Sequence, residues 1–234
     1  MRAALLLALS CLLGMADDGP TEPTREAQTR LLKPYGALVG DWRGTGLVKR
    51  GSAKGAWQEN AAWVWSLSKE SAALAMTVEE GRYLKRGTLR ASEMGQFRLS
   101  VELADDTERV FVGKPNARGA LVLVADPLPQ SGVARITLNP LHDARTVVLI
   151  EAVGARAGEF ERLGEVGYTR VGANFAVGDS APECIVTGGR GTITVTHKGT
   201  TYYVCCTGCR DLFNDDPEAM LAEYRERKAK AEKK

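Results

Sequence analysis

Histidine is scarce in this chain of 234 residues, and neither sign of charge is in excess. There are 2 His, and 31 Lys and Arg stand against 29 Asp and Glu, which gives a formal net charge of +2. So small a net charge leaves no electrostatic footprint for nucleic acid over the whole chain, and we predict no nucleic-acid partner. The shortage of His disfavours a His-rich metal site or a Ser-His-Asp hydrolase, although one His would suffice for a triad.

The common catalytic and nucleotide-binding motifs are absent too. The sequence contains no P-loop, no His-Glu-x-x-His and no Gly-x-Ser-x-Gly, and its Gly44-Thr45-Gly46 lies in a predicted strand instead of before a helix. We therefore predict that the protein is not an enzyme. The spacing Cys205-Cys206-x-x-Cys209 leaves thiol redox chemistry open.

The N-terminus carries the pattern of a secretory signal. One basic residue precedes an apolar run over residues 3–13, which is too short to span a bilayer, and small residues follow. We predict a signal peptide over residues 1–16, a linker over residues 17–30, and export to a periplasm or out of the cell. A lipid anchor at Cys11 is the less favoured alternative, because the apolar run continues past it. No other stretch is long and apolar enough to cross a membrane.

The middle of the chain has the pattern of a single β-barrel. Residues 25–38 have apolar positions at helical spacing, interrupted by Pro34, which predicts a short helix and then a turn. From residue 40 to about 171 the period changes to two, as in residues 97–103. Nine or ten such runs at hairpin spacing favour an up-and-down antiparallel barrel over residues 31–171.

The start of this region resembles the opening strand of lipocalin-like barrels, which begin with a short helix or turn and then Gly-x-Trp. Gly40 and Trp42 match that motif. The resemblance implies a barrel that can hold an apolar small molecule, with Trp42, Trp63 and Trp65 as candidate pocket residues. The alternative is that these tryptophans only fill a small barrel, and we consider it the simpler interpretation.

Cysteine is distributed very unevenly. Residues 17–183 contain none, and Cys184, Cys205, Cys206 and Cys209 then follow close together. A short segment with little hydrophobic core needs a covalent or metal staple, and thiols can provide either. The C-terminal segment is therefore the part of the sequence most informative about function.

The same segment has a readable local structure. Alternating runs at 193–196 and 201–204 flank a Lys-Gly turn and predict a hairpin. An Asp-Pro-Glu sequence then predicts the start of a helix, whose basic end forms a tail over residues 227–234. A linker over residues 172–180 is expected to separate this module from the barrel.

The layout resembles the TRASH and YHS families of small treble-clef-like metal fingers over about residues 181–226. The matching residues are Cys184, Thr187, Gly188, Gly199, Tyr202, Tyr203, Cys205, Cys209, Phe213, Asp216, Pro217 and Glu218. One departure matters: Thr187 stands where a second Cys of a Cys-x-x-Cys pair is usual.

This resemblance and the chemistry of thiols predict a soft-metal site. Thiolates bind Zn²⁺ and Cu⁺ well, and we expect Cys184, Cys205 and Cys209 to hold one ion, with Cys206 as a further candidate. A closed zinc site needs four ligands, so Cys206, His197 or an exogenous ligand would supply the fourth. In an oxidising compartment the thiols could instead form disulfides, for instance from Cys184 to Cys206 or Cys209.

Two functions follow from these patterns. The first is an exported protein, periplasmic or secreted, that senses, buffers or delivers a soft heavy metal such as Zn or Cu through its C-terminal finger. The second is a carrier whose barrel binds an apolar small molecule, with the C-terminal module as a disulfide-stapled or partner-binding knob. The fold class expected in both cases is mainly β, a lipocalin-like antiparallel barrel followed by a small hairpin and helix finger. The sequence names no protein partner.

Overall fold

The structure is a computed structural model, and it describes residues 23–92, 94–142, 144–172 and 182–232. The predicted signal peptide, Cys11 and nearly all of the second linker lie outside the described residues. Within the described ranges no helix is both long enough and apolar enough to cross a bilayer.

Two helical segments open the described chain. Helix α1, Arg25–Leu32, is capped by Thr24, whose side-chain oxygen accepts a hydrogen bond from the Ala27 backbone N–H at 3.3 Å. A 3₁₀ helix, Lys33–Leu38, follows with Pro34 in its first turn. The expected short helix and turn are therefore present, and the helix occupies part of the predicted first linker.

Ten strands come next, each joined to the next by a short connection. They are β1 Gly40–Leu47, β2 Trp57–Leu67, β3 Ala72–Glu79, β4 Leu84–Ala91, β5 Phe97–Leu103, β6 Glu108–Pro115, β7 Leu121–Ala125, β8 Arg135–His142, β9 Arg145–Val153 and β10 Phe160–Arg170. Every strand pairs antiparallel with its neighbour, and β10 pairs with β1 to close the barrel. The predicted antiparallel barrel is confirmed. Its ten strands exceed the eight of lipocalins, and the lipocalin likeness itself stays a prediction.

The interior of the barrel is packed with apolar side chains. Along β5 buried and more exposed residues alternate, as expected of a strand with one face in a core. The largest fully buried side chains in the barrel include Trp42, Phe111, Leu74, Leu89, Leu99, Leu121, Leu123, Ile136 and Leu138. Trp63 and Trp65 belong to the same core. An apolar ligand pocket lined by these tryptophans stays a prediction.

One end of the barrel is closed by the 3₁₀ helix. The Trp42 indole N–H donates to the Leu38 carbonyl at 2.6 Å. Arg170, at the end of β10, lies over the Trp42 ring at 4.3 Å and donates to the Ala37 and Val39 carbonyls. The register places Arg170 directly opposite Trp42 across the strand pair that closes the barrel. The tryptophan of the Gly-x-Trp motif thus lies at the closed end.

The C-terminal module consists of a hairpin and two helices. Strands β11 Ile193–His197 and β12 Thr200–Val204 pair antiparallel. Lys198 and Gly199 between them both have positive φ, the conformation of a tight type I′ hairpin turn. Helices α2 Thr207–Asp215 and α3 Pro217–Glu232 follow. We call residues 182–232 the finger. Its buried residues belong to the same hydrophobic cluster as the barrel core.

The finger docks on the end of the barrel where β2 projects past β1. Pairing between β1 and β2 ends at Gly40 and Trp63, whereas β2 continues to pair with β3 as far as Leu67. The unpaired edge is covered by the start of α2, because the Cys206 Sγ accepts a hydrogen bond from the Trp65 backbone N–H at 3.3 Å.

Candidate metal centre

Cys184 sits on a short loop that is closed by backbone hydrogen bonds. Its N–H donates to the Gly189 carbonyl at 2.7 Å, and the Gly188 N–H donates to the Cys184 carbonyl at 2.8 Å. Gly188 has a φ of 75°, which glycine adopts without the strain a side chain would bring. From α3, Arg227 donates to the Ile185 and Val186 carbonyls at 2.8 and 3.1 Å. The Cys184 loop is therefore fixed from both sides.

The other thiols lie where the hairpin passes into α2. Cys205 follows the last residue of β12, Cys206 is the N-cap residue of α2, and Cys209 lies in the first turn of that helix. A turn of helix returns the chain to the same face after three to four residues, which brings Cys209 back beside Cys205. Their Sγ atoms are 3.4 Å apart.

Three thiols meet at one point. The Sγ atoms of Cys184, Cys205 and Cys209 all lie within 4.8 Å of one another, a spacing that allows them to hold one metal ion. Cys184 and Cys209 are 0% exposed and Cys205 is 9% exposed. The sequence prediction grouped the same three residues. We call them the thiol cluster.

Cys206 is adjacent to the cluster but is not one of its members. Its Sγ lies 4.0 Å from that of Cys205, and it accepts the Trp65 N–H of the barrel. Its role in the structure is to attach the finger to β2. Cys206 as a further metal ligand stays a prediction, because its sulfur lies beside the cluster but outside the group of three.

A hydroxyl occupies the remaining side of the cluster. The Thr187 Oγ1 lies 3.5 Å from the Sγ of Cys184 and 3.5 Å from that of Cys205. Thr187 is thus beside the sulfurs, at the position where the fingers that the sequence resembles usually have a second Cys. A hydroxyl is a much poorer ligand for a soft metal than a thiolate.

The pKa values of the thiols are shifted in opposite directions. Hydrogen bonds from Cys205 and Cys209 hold the pKa of Cys184 well below its ordinary value. The same contacts act in the opposite direction on Cys205 and Cys209, whose pKa values are raised by hydrogen bonds with Cys184 and further by burial. Hydrogen bonds from Cys205 and Cys209 also lower the pKa of Cys206. The hydrogen bonds among the sulfurs therefore favour the thiolate at Cys184 and the protonated thiol at Cys205 and Cys209.

His197, the other candidate for a fourth ligand, points elsewhere. Its Nε2 lies 2.9 Å from the Oε1 of Glu218 at the start of α3, and its ring packs edge-on against Phe213. Among the described residues, the group that could hold a metal ion consists of Cys184, Cys205 and Cys209 and does not include His197. The four cysteines 184, 205, 206 and 209 are all free thiols in the structure, so the disulfides considered from the sequence are not formed in it.

Comparison with known proteins gives no family assignment. No family model matches the chain, and no curated protein matches it either. The resemblances to TRASH and YHS fingers and to lipocalins therefore rest on the sequence motifs, with the closed barrel and the thiol cluster as the structural features that fit them.

Proposed function

We propose that the protein binds a soft heavy-metal ion, Zn²⁺ or Cu⁺, through Cys184, Cys205 and Cys209, and that it senses, buffers or delivers that ion. The observation that carries the proposal is the convergence of three buried sulfurs within 4.8 Å. These residues come from two separate parts of the chain, the Cys184 loop and the passage from β12 into α2. Thiolates are the ligands that soft metal ions prefer.

The ligand number favours exchange over a structural role. Structural zinc is almost always held by four protein ligands, whereas sites that exchange or react keep one position open. Here three thiols are accompanied by the Thr187 hydroxyl, and the Sγ of Cys206 is already engaged by the barrel backbone. A site of this kind suits an ion that enters and leaves, and the proposal involves no catalysis.

Export is part of the proposal and rests on the N-terminal sequence pattern. An apolar run of signal-peptide length, followed by small residues, supports a periplasmic or secreted protein, with a lipid anchor at Cys11 as the alternative. In this proposal the barrel is the platform on which the finger is built. Its tryptophans contribute to the packed core that supports the 3₁₀ helix and α2.

The direct test is titration of the reduced exported protein with Zn²⁺ and with Cu⁺, repeated on single Cys→Ser variants. Changes to the residues around a ligand cost 10–100-fold in affinity, so loss of a ligand at Cys184, Cys205 or Cys209 should cost at least about 100-fold. Cys206→Ser is the matched control, because a hydroxyl can still accept the Trp65 N–H. It should bind within about threefold of wild type, since its sulfur is not part of the cluster.

Equal metal binding by wild type and by the Cys184→Ser and Cys209→Ser variants would refute a shared site. Native mass spectrometry of the exported protein adds an independent readout. A mass four protons lighter with no metal would mean two disulfides, and the finger would then be a stapled knob instead of a metal site.

A further inference from the structure

A cleft of about 370 Å³ lies between the closed end of the barrel and the finger. Its volume is within the range of small-molecule sites, which runs from about 300 to 1,000 Å³. The barrel side is formed by the 3₁₀ helix and the end of β10. The finger side includes Thr187 and Cys205, so the cleft borders the thiol cluster directly.

Among the described residues, the charged side chains that line this cleft have one sign. Lys33, Arg170 and Arg190 contribute to this lining, and no Asp or Glu of the described ranges does. Lys33 and Arg190 are exposed and form no ion pair with any residue of the described ranges. Glu183 is a nearby carboxylate at the edge of the cleft, since a Cβ at Gly188 would lie 3.3 Å from its Oε1 and 3.9 Å from the Lys33 Nζ. It is paired with Lys228 and Arg227. Two unpaired cations at the mouth of a cleft favour an anionic occupant.

The cluster can be reached from this cleft. Cys205 is the one thiol of the three with measurable exposure, at 9%, and it is the one that lines the cleft. Thr187, the other cluster neighbour in the lining, presents a hydroxyl in place of a thiol. A ligand in the cleft would therefore reach the thiol cluster beside Cys205 and Thr187.

We propose that the cleft binds a small, multiply anionic thiol whose sulfur completes the coordination of the metal ion. This inference rests on the proposed function of the thiol cluster. Lys33 and Arg190 would pair with the carboxylates of the ligand. Its thiol would lose a proton to solvent as the sulfur–metal bond forms, and no atom changes oxidation state. Such a ligand would bring the ion in or take it away as a complex.

The experiment uses the full chain loaded with Cu⁺ and three probes. Reduced glutathione has both a thiol and two carboxylates, S-methylglutathione has the charges without a free thiol, and cysteamine has the thiol without carboxylates. Native mass spectrometry should detect a ternary complex of protein, one Cu⁺ and one glutathione. Titration should give binding of glutathione about tenfold tighter than that of cysteamine, because cysteamine has no carboxylates to pair with Lys33 and Arg190. It should also give binding about tenfold tighter than that of S-methylglutathione, because the blocked sulfur cannot bind the metal ion as a thiolate.

The double variant Lys33→Ala/Arg190→Ala should weaken glutathione binding by about tenfold and leave Cu⁺ affinity unchanged. The matched control is Lys54→Ala/Arg118→Ala, which removes the same charge at exposed positions outside the cleft. Equal binding of glutathione and cysteamine, an unaffected double variant, or removal of Cu⁺ without a ternary complex would each overturn the inference while leaving the thiol site intact. Failure of the wild type to bind Cu⁺ at all would instead refute the proposed function, and this inference with it.

Discussion

Gly208 packs directly against the backbone of β2, and adding one methyl group there should disturb both the finger and the barrel. A Cβ atom at this position would lie 1.7 Å from the carbonyl oxygen of Trp65 and 2.8 Å from its carbonyl carbon. Both are backbone atoms of β2, which is held in register with β3. The strand cannot yield cheaply, so in a Gly208→Ala variant helix α2 must move away from it.

The cost can be estimated from its parts. Overpacking of a well-packed contact costs about 1–3 kcal/mol. Moving α2 also weakens the hydrogen bond from the Trp65 N–H to the Cys206 Sγ, which is worth about 1 kcal/mol. The better helix propensity of Ala returns up to about 1 kcal/mol. The net loss is therefore about 1–3 kcal/mol, which corresponds to roughly 2–4 °C in Tm for each kcal/mol in a chain of this size.

Thermal unfolding followed by circular dichroism measures the stability, and the rate of thiol alkylation in the metal-free protein reports exposure of the cluster. Both should change in Gly208→Ala. Gly167→Ala is the control, because a Cβ at Gly167 in β10 meets nothing within 4 Å. A Gly208→Ala protein with the Tm and alkylation rate of wild type would show that α2 is not seated on β2 as described.

Three further predictions address the cluster and the barrel. Because Cys205 and Cys209 have raised pKa values and Cys184 a lowered one, metal binding should release about two protons. The apparent affinity for the metal should therefore rise roughly 100-fold per pH unit between about pH 6 and 8, which metal titration at several pH values tests. Thr187→Cys should supply a fourth sulfur and raise Zn²⁺ affinity by more than about tenfold, whereas Thr187→Val should not raise it. Competition with a chelator measures the Zn²⁺ affinity of both variants. Arg170→Met should lower the free energy of unfolding by about 3 kcal/mol in urea, because two donated hydrogen bonds and a stacked tryptophan contact are lost together.

The barrel could be predicted because its signal is local. Alternation along each strand and turn residues between strands are both properties of short windows, and they indicated nine or ten strands where the structure has ten. Closure of the barrel is a different matter. It depends on pairing of β1 with β10, in which Trp42 lies opposite Arg170 far along the chain. No window of the sequence contains both residues, so the stacking that secures the closed end could not be read from it.

The thiol cluster could be predicted in part for the same reason. The spacing of Cys205 and Cys209 is one helical turn, and Cys184 was added through the resemblance to metal fingers. The roles of Cys206 and Arg227 depend on tertiary structure. Cys206 is engaged by a strand edge of the barrel, and Arg227 reaches from α3 to the Cys184 loop. The second residue lies in the segment that the sequence suggested was only a basic tail.

The adjacency of Cys205 and Cys206 links metal binding to the barrel. Cys205 contributes to the thiol cluster, and Cys206 accepts a hydrogen bond from the edge of β2. One planar peptide unit joins them, so a movement of the backbone at either residue is passed on to the other. Helix α2 also packs directly on the backbone of Trp65 through Gly208, so it has no room to move toward the barrel. If the cluster binds metal as proposed, an ion that fixes Cys205 and Cys209 would also hold the start of α2 against β2, so metal should raise the stability of the contact between finger and barrel.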